Sequence, residues 1–236
     1  MDAILVIAVI FLAVFTQSLT GFGVAMVAMA LLPSMVGIQT ATPLVALVAV
    51  TIEFFLLVRY RRALNLRVVL PIIFAAVVGV PLGIWGLSVI EETVILPILG
   101  VLIIGYALYA LFKIKLPELI NPAWAYGTGL IAGMLGGAYN VSGPPVIVYG
   151  DCKRWPRAEF KGNLQGFFLI TSLFVAIGHA VGGNLSSEVV TLYVWAIPAM
   201  ALGILTGTFL DRFLDPDVFR KVVLVLLIVL GVRLIL

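Results

Sequence analysis

An otherwise apolar chain is interrupted at Gln17-Ser18-Leu19-Thr20-Gly21-Phe22-Gly23, where polar side chains and two glycines replace the aliphatic run. A second interruption, also rich in small and polar residues, runs from Gly133 through Gly136-Gly137-Ala138-Tyr139-Asn140-Val141-Ser142-Gly143-Pro144-Pro145. Alignment of Gly23 with Gly143 places the two about half a chain length apart. Paired interruptions of this kind are typical of membrane transporters that bind substrate near mid-membrane. We therefore expect the two stretches to decide both the fold and the binding site.

The composition places the chain in a lipid bilayer. Its 236 residues are 63% hydrophobic and 11% charged, with a mean hydropathy of +1.25. Soluble domains carry about 25% charged residues. The apolar segments recur at intervals that suit membrane-crossing helices, which need about 20 residues each. They lie at 3–20, 22–37, 41–58, 68–89, 94–112, 123–140, 143–150, 160–181, 189–210 and 218–236. We predict an all-α polytopic membrane protein, and the compact loops favour a bacterial inner membrane.

The charged residues predict that the two halves are inverted copies. Basic residues mark cytoplasmic loops. Three basic clusters are therefore assigned to the cytoplasm: 59–67, 113–115 and 153–161. The loops at 91–92 and 182–188 contain no Lys or Arg and are assigned to the outside. Segment 41–58 then runs inward, and its counterpart 160–181 runs outward.

A short polar linker, Lys113–Glu118, separates the halves, so we predict one repeat at 1–115 and another at 116–236. Small residues recur at matching places in the two halves, which suits close helix packing in lipid. The matching pairs are Gly79 with Gly203, Gly83 with Gly207, and Gly105 with Gly231.

The interruptions are predicted to lie at the tips of two re-entrant hairpins. Segment 143–150 is too short to cross a bilayer, so 123–150 must enter the membrane and return on the same side. By symmetry, 3–37 forms a second hairpin from the opposite side, and the two meet near mid-membrane. Non-helical backbone at that depth is stable only inside protein or beside a watery cavity.

Each interruption is predicted to present the N-terminus of a helix to the protein interior. Glycine lets the backbone turn, and proline favours a helix start. Helix N-termini bind anions through free N–H groups and the helix dipole. We expect the substrate-binding residues to be Gln17, Ser18, Thr20, Gly21, Phe22, Gly23, Tyr139, Asn140, Ser142, Gly143, Pro144, Asn163 and Gln165. The alternatives are that the glycines only permit tight packing and that Gln17, Tyr139, Asn163 and Gln165 form hydrogen bonds between helices.

Two ionisable residues lie within apolar segments. Glu53 is an acid deep in such a run, and intramembrane carboxylates are commonly functional. It is the candidate for proton coupling, with pairing to a basic group near Arg59 as the structural alternative. His179 is the single histidine, and its position near the end of 160–181 favours an interfacial role.

Several other classes of function are excluded. One Cys and one His cannot form a zinc cluster, and we expect no metal and no cofactor. No Ser–His–Asp spacing, HExxH motif, P-loop or nucleic-acid motif occurs in the sequence, so we expect no nucleic-acid partner and no enzyme.

The chain resembles the TauE/SafE sulfite-exporter family, which transports small, mostly sulfur-containing anions. The resemblance covers nearly the whole chain and is carried by 17–23, by Gly129-Leu-Ile-Ala-Gly-Met-Leu-Gly-Gly137 and by Gly143-Pro144-Pro145. Many family members have a fuller glycine run and a proline in both halves, whereas the first interruption here has no neighbouring proline. The resemblance implies a substrate such as sulfite, a sulfonate or a related anion.

The resulting hypothesis is a secondary transporter that moves a small anion by alternating access, coupled to protons or the membrane potential. Its partners would be the anion and membrane lipid, with a monomer and a homodimer both open. The alternatives are a passive channel for anions or small solutes, and a membrane assembly subunit that does not transport.

Overall fold

The computed structural model describes residues 3–210, 213 and 216–236. Within those residues the regular structure is helical, which confirms the predicted all-α class. The helices are α1 (Ala3–Thr20), α2 (Val24–Leu31), α3 (Pro33–Val36), α4 (Ile38–Tyr60), the short 3-10 turn Arg61–Ala63, α5 (Leu66–Val89), α6 (Glu92–Leu111), α7 (Ala123–Tyr139), α8 (Gly143–Cys152), α9 (Arg157–Val181), α10 (Ser187–Leu210) and α11 (Pro216–Ile235).

Six of the described helices are long and apolar enough to cross a membrane: α1, α4 with its 3-10 extension, α5, α6, α9 and α10. The protein is thus a multi-pass integral membrane protein. Five of the six are predicted spans, whereas α1 was predicted as one arm of a hairpin. At 18 residues, α1 is about as long as the hydrocarbon core requires, but α2 after it has only 8. The re-entrant geometry and the inverted orientation of the halves stay predictions.

The helices pack into two compact units, and each unit takes helices from both halves of the sequence. The first comprises Met1–Val45, Val89–Ile114 and Leu185–Leu236, and therefore contains the first interruption. The second comprises Ala46–Ser88 and Lys115–Asn184, and contains the second. The packing units thus differ from the predicted repeats 1–115 and 116–236, which concern sequence duplication and stay a prediction.

In the first unit, α1 packs closely against α10 at two glycines. A Cβ atom at Gly203 would lie 3.1 Å from the carbonyl oxygen of Phe11, and one at Gly207 would lie 3.0 Å from that of Phe15. Both distances leave no room for a side chain without a shift of the backbone. Small residues allow helices in lipid to gain van der Waals contact where no hydrophobic force drives them together.

In the second unit, α7 packs against α5 in the same way. A Cβ atom at Gly79 would overlap the carbonyl oxygen of Leu130, and one at Gly83 would overlap that of Met134. From the other side, a Cβ atom at Gly133 would overlap the carbonyl oxygen of Ala76. The glycines paired from the sequence, Gly79 with Gly203 and Gly83 with Gly207, therefore serve equivalent contacts in the two units.

The third pair does not behave in this way. Gly231 of α11 contacts α6, but at Gly100, where a Cβ atom would lie 2.6 Å from the Gly231 carbonyl oxygen. A Cβ atom at Gly105 would have no neighbour within 4 Å. The two glycines paired from the sequence therefore do not make equivalent contacts, because a matching position in the sequence does not fix the crossing point of two helices.

The contact between α5 and α7 can be tested with two glycines of one helix. In Gly133→Ala, the new methyl group meets the backbone of α5, and we expect a loss of roughly 1–3 kcal/mol of stability. In the control Gly127→Ala, the methyl group enters open space, and the better helix propensity should leave stability equal or higher. The melting temperatures of both variants can be measured in detergent by heating samples and quantifying the remaining folded protein by size-exclusion chromatography. Equal melting temperatures would contradict this packing.

Candidate functional site

The first interruption is closed by its own side chains. After α1 ends, the backbone turns through Gly21 (φ 84°) and Gly23 (φ 113°), which lie in the left-handed region that favours glycine. The Gln17 side-chain oxygen accepts a hydrogen bond from the Val24 N–H at 2.9 Å. Buried Gln17 thus caps the first amide of α2, and this supports a structural role for its amide.

The hydroxyl groups at this interruption also bond within the chain. Ser18 Oγ donates to the Val14 carbonyl at 2.8 Å, and Thr20 Oγ1 donates to the Thr16 carbonyl at 2.9 Å. Phe22 is buried and packs edge-on against Tyr106, with ring centroids 6.1 Å apart. The adjacent cavity measures about 10 Å³ and is lined by Thr16, Thr20, Phe22, Gly23, Met26, Val223, Leu224 and Leu227. This volume is close to the smallest that holds one water molecule, so no anion fits there in this conformation.

The second interruption begins with a left-handed residue that is not glycine. Asn140 follows the end of α7 with φ 56°, and its N–H donates to the Gly136 carbonyl at 2.7 Å. Val141 adds a bond to the Leu135 carbonyl at 3.3 Å. This is an αL helix cap, in which Asn is the common substitute for Gly. The backbone of Asn140 is therefore structural, while its side chain, like that of Tyr139, is buried beside the turn.

The N-terminus of α8 has no side-chain cap. Ser142 occupies the N-cap position, but its hydroxyl makes no capping hydrogen bond, and the residue is only 6% exposed. The α8 helix starts with Gly143, and the next two residues, Pro144 and Pro145, have no backbone N–H. The sequence predicted several free N–H groups at this helix end. Only the N–H groups that precede Pro144 are available there. Pro144 can shape the site but cannot donate to a ligand.

Helix α9 forms one wall of this second interruption. A Cβ atom at Gly143 would lie 3.4 Å from the Phe168 ring, and one at Gly136 would lie 3.3 Å from Ser142 Cβ and 3.9 Å from Val175. The interruption is therefore held between α7 and α9, and its glycines allow this close approach. An apolar wall of this kind strengthens electrostatic interactions with a bound ion because it excludes water.

Two polar residues of α9, Glu159 and Asn163, bond to Asn65, and a third, Gln165, is buried further along the helix. Asn163 is fully buried, and its Oδ1 accepts from the Asn65 N–H at 2.8 Å, just before α5. Glu159 accepts from the side-chain amide of Asn65 at 3.0 Å. Asn163 thus forms the interhelical link that was its alternative interpretation. Gln165 is also fully buried, and its role in binding stays a prediction.

Glu53 lies in α4 and is 2% exposed, whereas the neighbouring Phe54 and Phe55 are more than half exposed. The carboxyl group therefore faces the protein interior rather than lipid. Buried carboxyl groups in membrane spans are costly and commonly functional. The proposed role in proton coupling remains untested.

Two polar contacts were missed by the sequence analysis. Glu92 Oε1 accepts from the Ile38 N–H at 3.1 Å and so caps α4 from the start of α6. Asn184 Nδ2 lies 3.0 Å from Nδ1 of His179, at the end of α9. The first pair is 54 residues apart in sequence and carries no local signal. In the second, the spacing of five residues could have suggested a side-chain contact at a helix end.

Comparisons with known proteins agree with a membrane transporter. The profile of the family described as "Sulfite exporter TauE/SafE" matches residues 6–234. The "Probable sulfite/organosulfonate exporter TauE" of Cupriavidus necator is 26% identical over 230 residues, which cover 93% of this chain and 88% of that protein. The "Probable inner membrane transporter protein TsaS" of Comamonas testosteroni is 25% identical over 177 residues, 73% of each chain. No solved structure matches.

Substitutions at Asn140 separate the backbone role from the side-chain role. Asn140→Ala should lose roughly 1 kcal/mol of stability because alanine resists the left-handed conformation, whereas Asn140→Gly should retain stability. Both substitutions remove the side-chain amide group of Asn140 and keep its backbone N–H. If the amide binds an anion, the affinity for sulfite falls in both variants, measured by equilibrium binding in detergent. Wild-type affinity in Asn140→Gly would limit Asn140 to capping α7.

Proposed function

Since the chain belongs to the TauE/SafE sulfite exporter family, we propose that it is a secondary transporter that moves a small anion across the membrane by alternating access. Proteins of this family are membrane transporters and not enzymes. The anion transported here is proposed to be sulfite, a sulfonate or a related small organic anion. One of the relatives is named as a sulfite and organosulfonate exporter, which favours this class.

The single observation that carries the proposal is the uncapped start of α8. A buried helix N-terminus normally has its amides capped by a side chain or bound to a ligand. Here the N-cap hydroxyl of Ser142 makes no capping bond and remains available. A small oxyanion at this position would accept hydrogen bonds from Ser142 Oγ and the preceding amides and would be attracted by the helix dipole.

The donors near this end are neutral, and this suits transport. A site that contained a buried arginine would bind an anion tightly and release it slowly. Hydroxyl and amide donors supply several hydrogen bonds without a full counter-charge, and transport requires binding weak enough for release. Asn140, Ser142 and Gly143 are the residues proposed to bind the anion. Tyr139, next to Asn140 in sequence, and Gln165, predicted at a similar depth, are further candidates.

The first interruption is proposed as a second contributor. Its hydroxyls and the Gln17 amide already bond within the chain, as described above. The residues Gln17, Ser18, Thr20, Gly21, Phe22 and Gly23 would therefore contribute in the transport state that opens this interruption. Alternating access requires two conformations, each of which opens the site to one side of the membrane.

Uptake by reconstituted protein tests the proposal. Liposomes that contain the protein should accumulate labelled sulfite in a saturable manner, above empty liposomes. Because one hydrogen bond to an ion is worth roughly 1.5–3 kcal/mol, Ser142→Ala should weaken sulfite binding by about tenfold or more. Ser88→Ala is the matched control, since Ser88 is exposed and its hydroxyl bonds to its own helix. Equal uptake by both variants would reject the site at α8.

Proton coupling is proposed to depend on Glu53. In Glu53→Gln, a pH gradient should no longer drive sulfite accumulation, while uptake down a sulfite gradient should persist. Glu188→Gln provides the control, because Glu188 is exposed in the first turn of α10. An undiminished response to the pH gradient in Glu53→Gln would leave Glu53 with a structural role.

The same reconstituted protein distinguishes the proposed transporter from the two alternatives, a passive channel and an assembly subunit. A passive channel would give unitary currents under voltage clamp and no accumulation against a gradient. An assembly subunit would give no flux and no stabilisation by sulfite or sulfonates. The buried carboxyl of Glu53 favours a coupled transporter over both, since neither needs an ionisable group inside a span.

A further inference from the structure

His179 is fully buried near the end of α9, and the Nδ1 edge of its imidazole ring contacts the side chain of Asn184. The side-chain amide of Asn184 lies 3.0 Å from the imidazole Nδ1. The backbone N–H of Asn184 also donates to the His179 carbonyl at 2.8 Å. Asn184 therefore closes the end of α9 and holds the imidazole at one orientation.

The amide contact favours one tautomer of the imidazole. With the Asn184 amide nitrogen placed against it, Nδ1 accepts, and a neutral imidazole then has its proton on Nε2. Among the residues that the structure describes, Nε2 has no hydrogen-bond partner. Burial of an N–H group without an acceptor costs stability, and native structures rarely keep such a group without a function.

The position of His179 relates it to the second interruption. Phe168 and Val175 are the α9 residues that contact Gly143 and Gly136. His179 follows Phe168 by eleven residues and Val175 by four, and these spacings keep all three on one face of the helix. Side chains on a helix lean toward its N-terminus, so the imidazole leans back toward Val175. His179 thus stands one turn of α9 beyond the interruption.

We propose that the Nε2–H of His179 is a hydrogen-bond donor to the transported anion, on the same wall of α9 that faces Ser142. The inference rests on the proposed anion transport and deepens it. An oxyanion has several oxygens, so one can bond near Ser142 while the anion moves along α9 and meets Nε2–H at the next turn. This arrangement favours sulfite and sulfonates over a halide, which is a single-atom acceptor.

Nuclear magnetic resonance can observe this group directly, because the chain has one histidine. Protein labelled with 15N in the imidazole should show a protonated Nε2 and an unprotonated Nδ1. Addition of sulfite should shift the Nε2 resonance, and equimolar chloride should not. A spectrum with the proton on Nδ1, or an Nε2 resonance unmoved at saturating sulfite, would overturn the proposal.

Two variants separate binding from support of the helix end. His179→Phe and Asn184→Ala both remove the contact between the two residues, but only the first removes the Nε2–H. We expect the sulfite affinity to fall about tenfold in His179→Phe and by a smaller factor in Asn184→Ala, which keeps the imidazole but no longer holds its orientation. An equal loss in both variants, or no loss in His179→Phe, would reduce His179 to a structural role.

The outcome also distinguishes this inference from the proposed function. If wild-type protein binds sulfite and Ser142→Ala weakens the binding, while His179→Phe does not, the transporter proposal stands and the histidine proposal fails. If the wild type binds neither sulfite nor methanesulfonate, both proposals fail.

Discussion

Backbone groups inside an apolar bundle must have hydrogen-bond partners, and the rest of this structure depends on how that requirement is met where helices break. In a bilayer only helices satisfy their own backbone along their length. The two interruptions therefore have to be closed by side chains, by close packing or by a ligand. At the first, Gln17 bonds to the Val24 amide, and Thr20 folds back on α1. At the second, α7 has a backbone cap through Asn140, whereas α8 has none. That asymmetry is the reason for proposing the start of α8 as the place for an anion.

Glycine determines where the interrupted helices are held. Each unit places the helix that precedes an interruption against the fourth apolar segment of the opposite half of the sequence: α1 against α10, and α7 against α5. The contacts at Gly207 and Gly133 are so close that backbone meets backbone. Such contacts fix the interruptions by shape, with no need for polar groups at the interface.

The sequence predicted those features that depend on local chemistry. The membrane location, the boundaries of most helices, both interruptions and the glycine pair at Gly83 and Gly207 follow from apolar runs and from residues with unusual backbone freedom. Features that depend on contacts between distant residues could not be predicted in the same way. The assignment of helices to two units is one example, since nothing in the sequence of α1 indicates that it packs on α10.

The polar site residues show the same division. Ser142 and Asn140 were selected as candidates because they belong to the interruption itself. Asn163 looked equivalent by type and depth, yet its bond to Asn65, 98 residues away, uses its carbonyl oxygen. Pro144 begins the helix with Gly143 but has no backbone N–H to donate, so its predicted part in binding can only be to shape the site. His179 was assigned to the interface because it is near a helix end, while the structure buries it completely.

The central claim is that the uncapped start of α8 holds the transported anion, and anomalous diffraction from selenite, a heavier analogue of sulfite, would locate the anion directly. Crystals of the protein soaked in selenite should give a selenium peak whose oxygens lie within hydrogen-bond distance of Ser142 Oγ and the Gly143 N–H. Crystals of Ser142→Ala should show that peak weakened or absent. A selenium peak elsewhere in the protein, unchanged by Ser142→Ala, would contradict the claim.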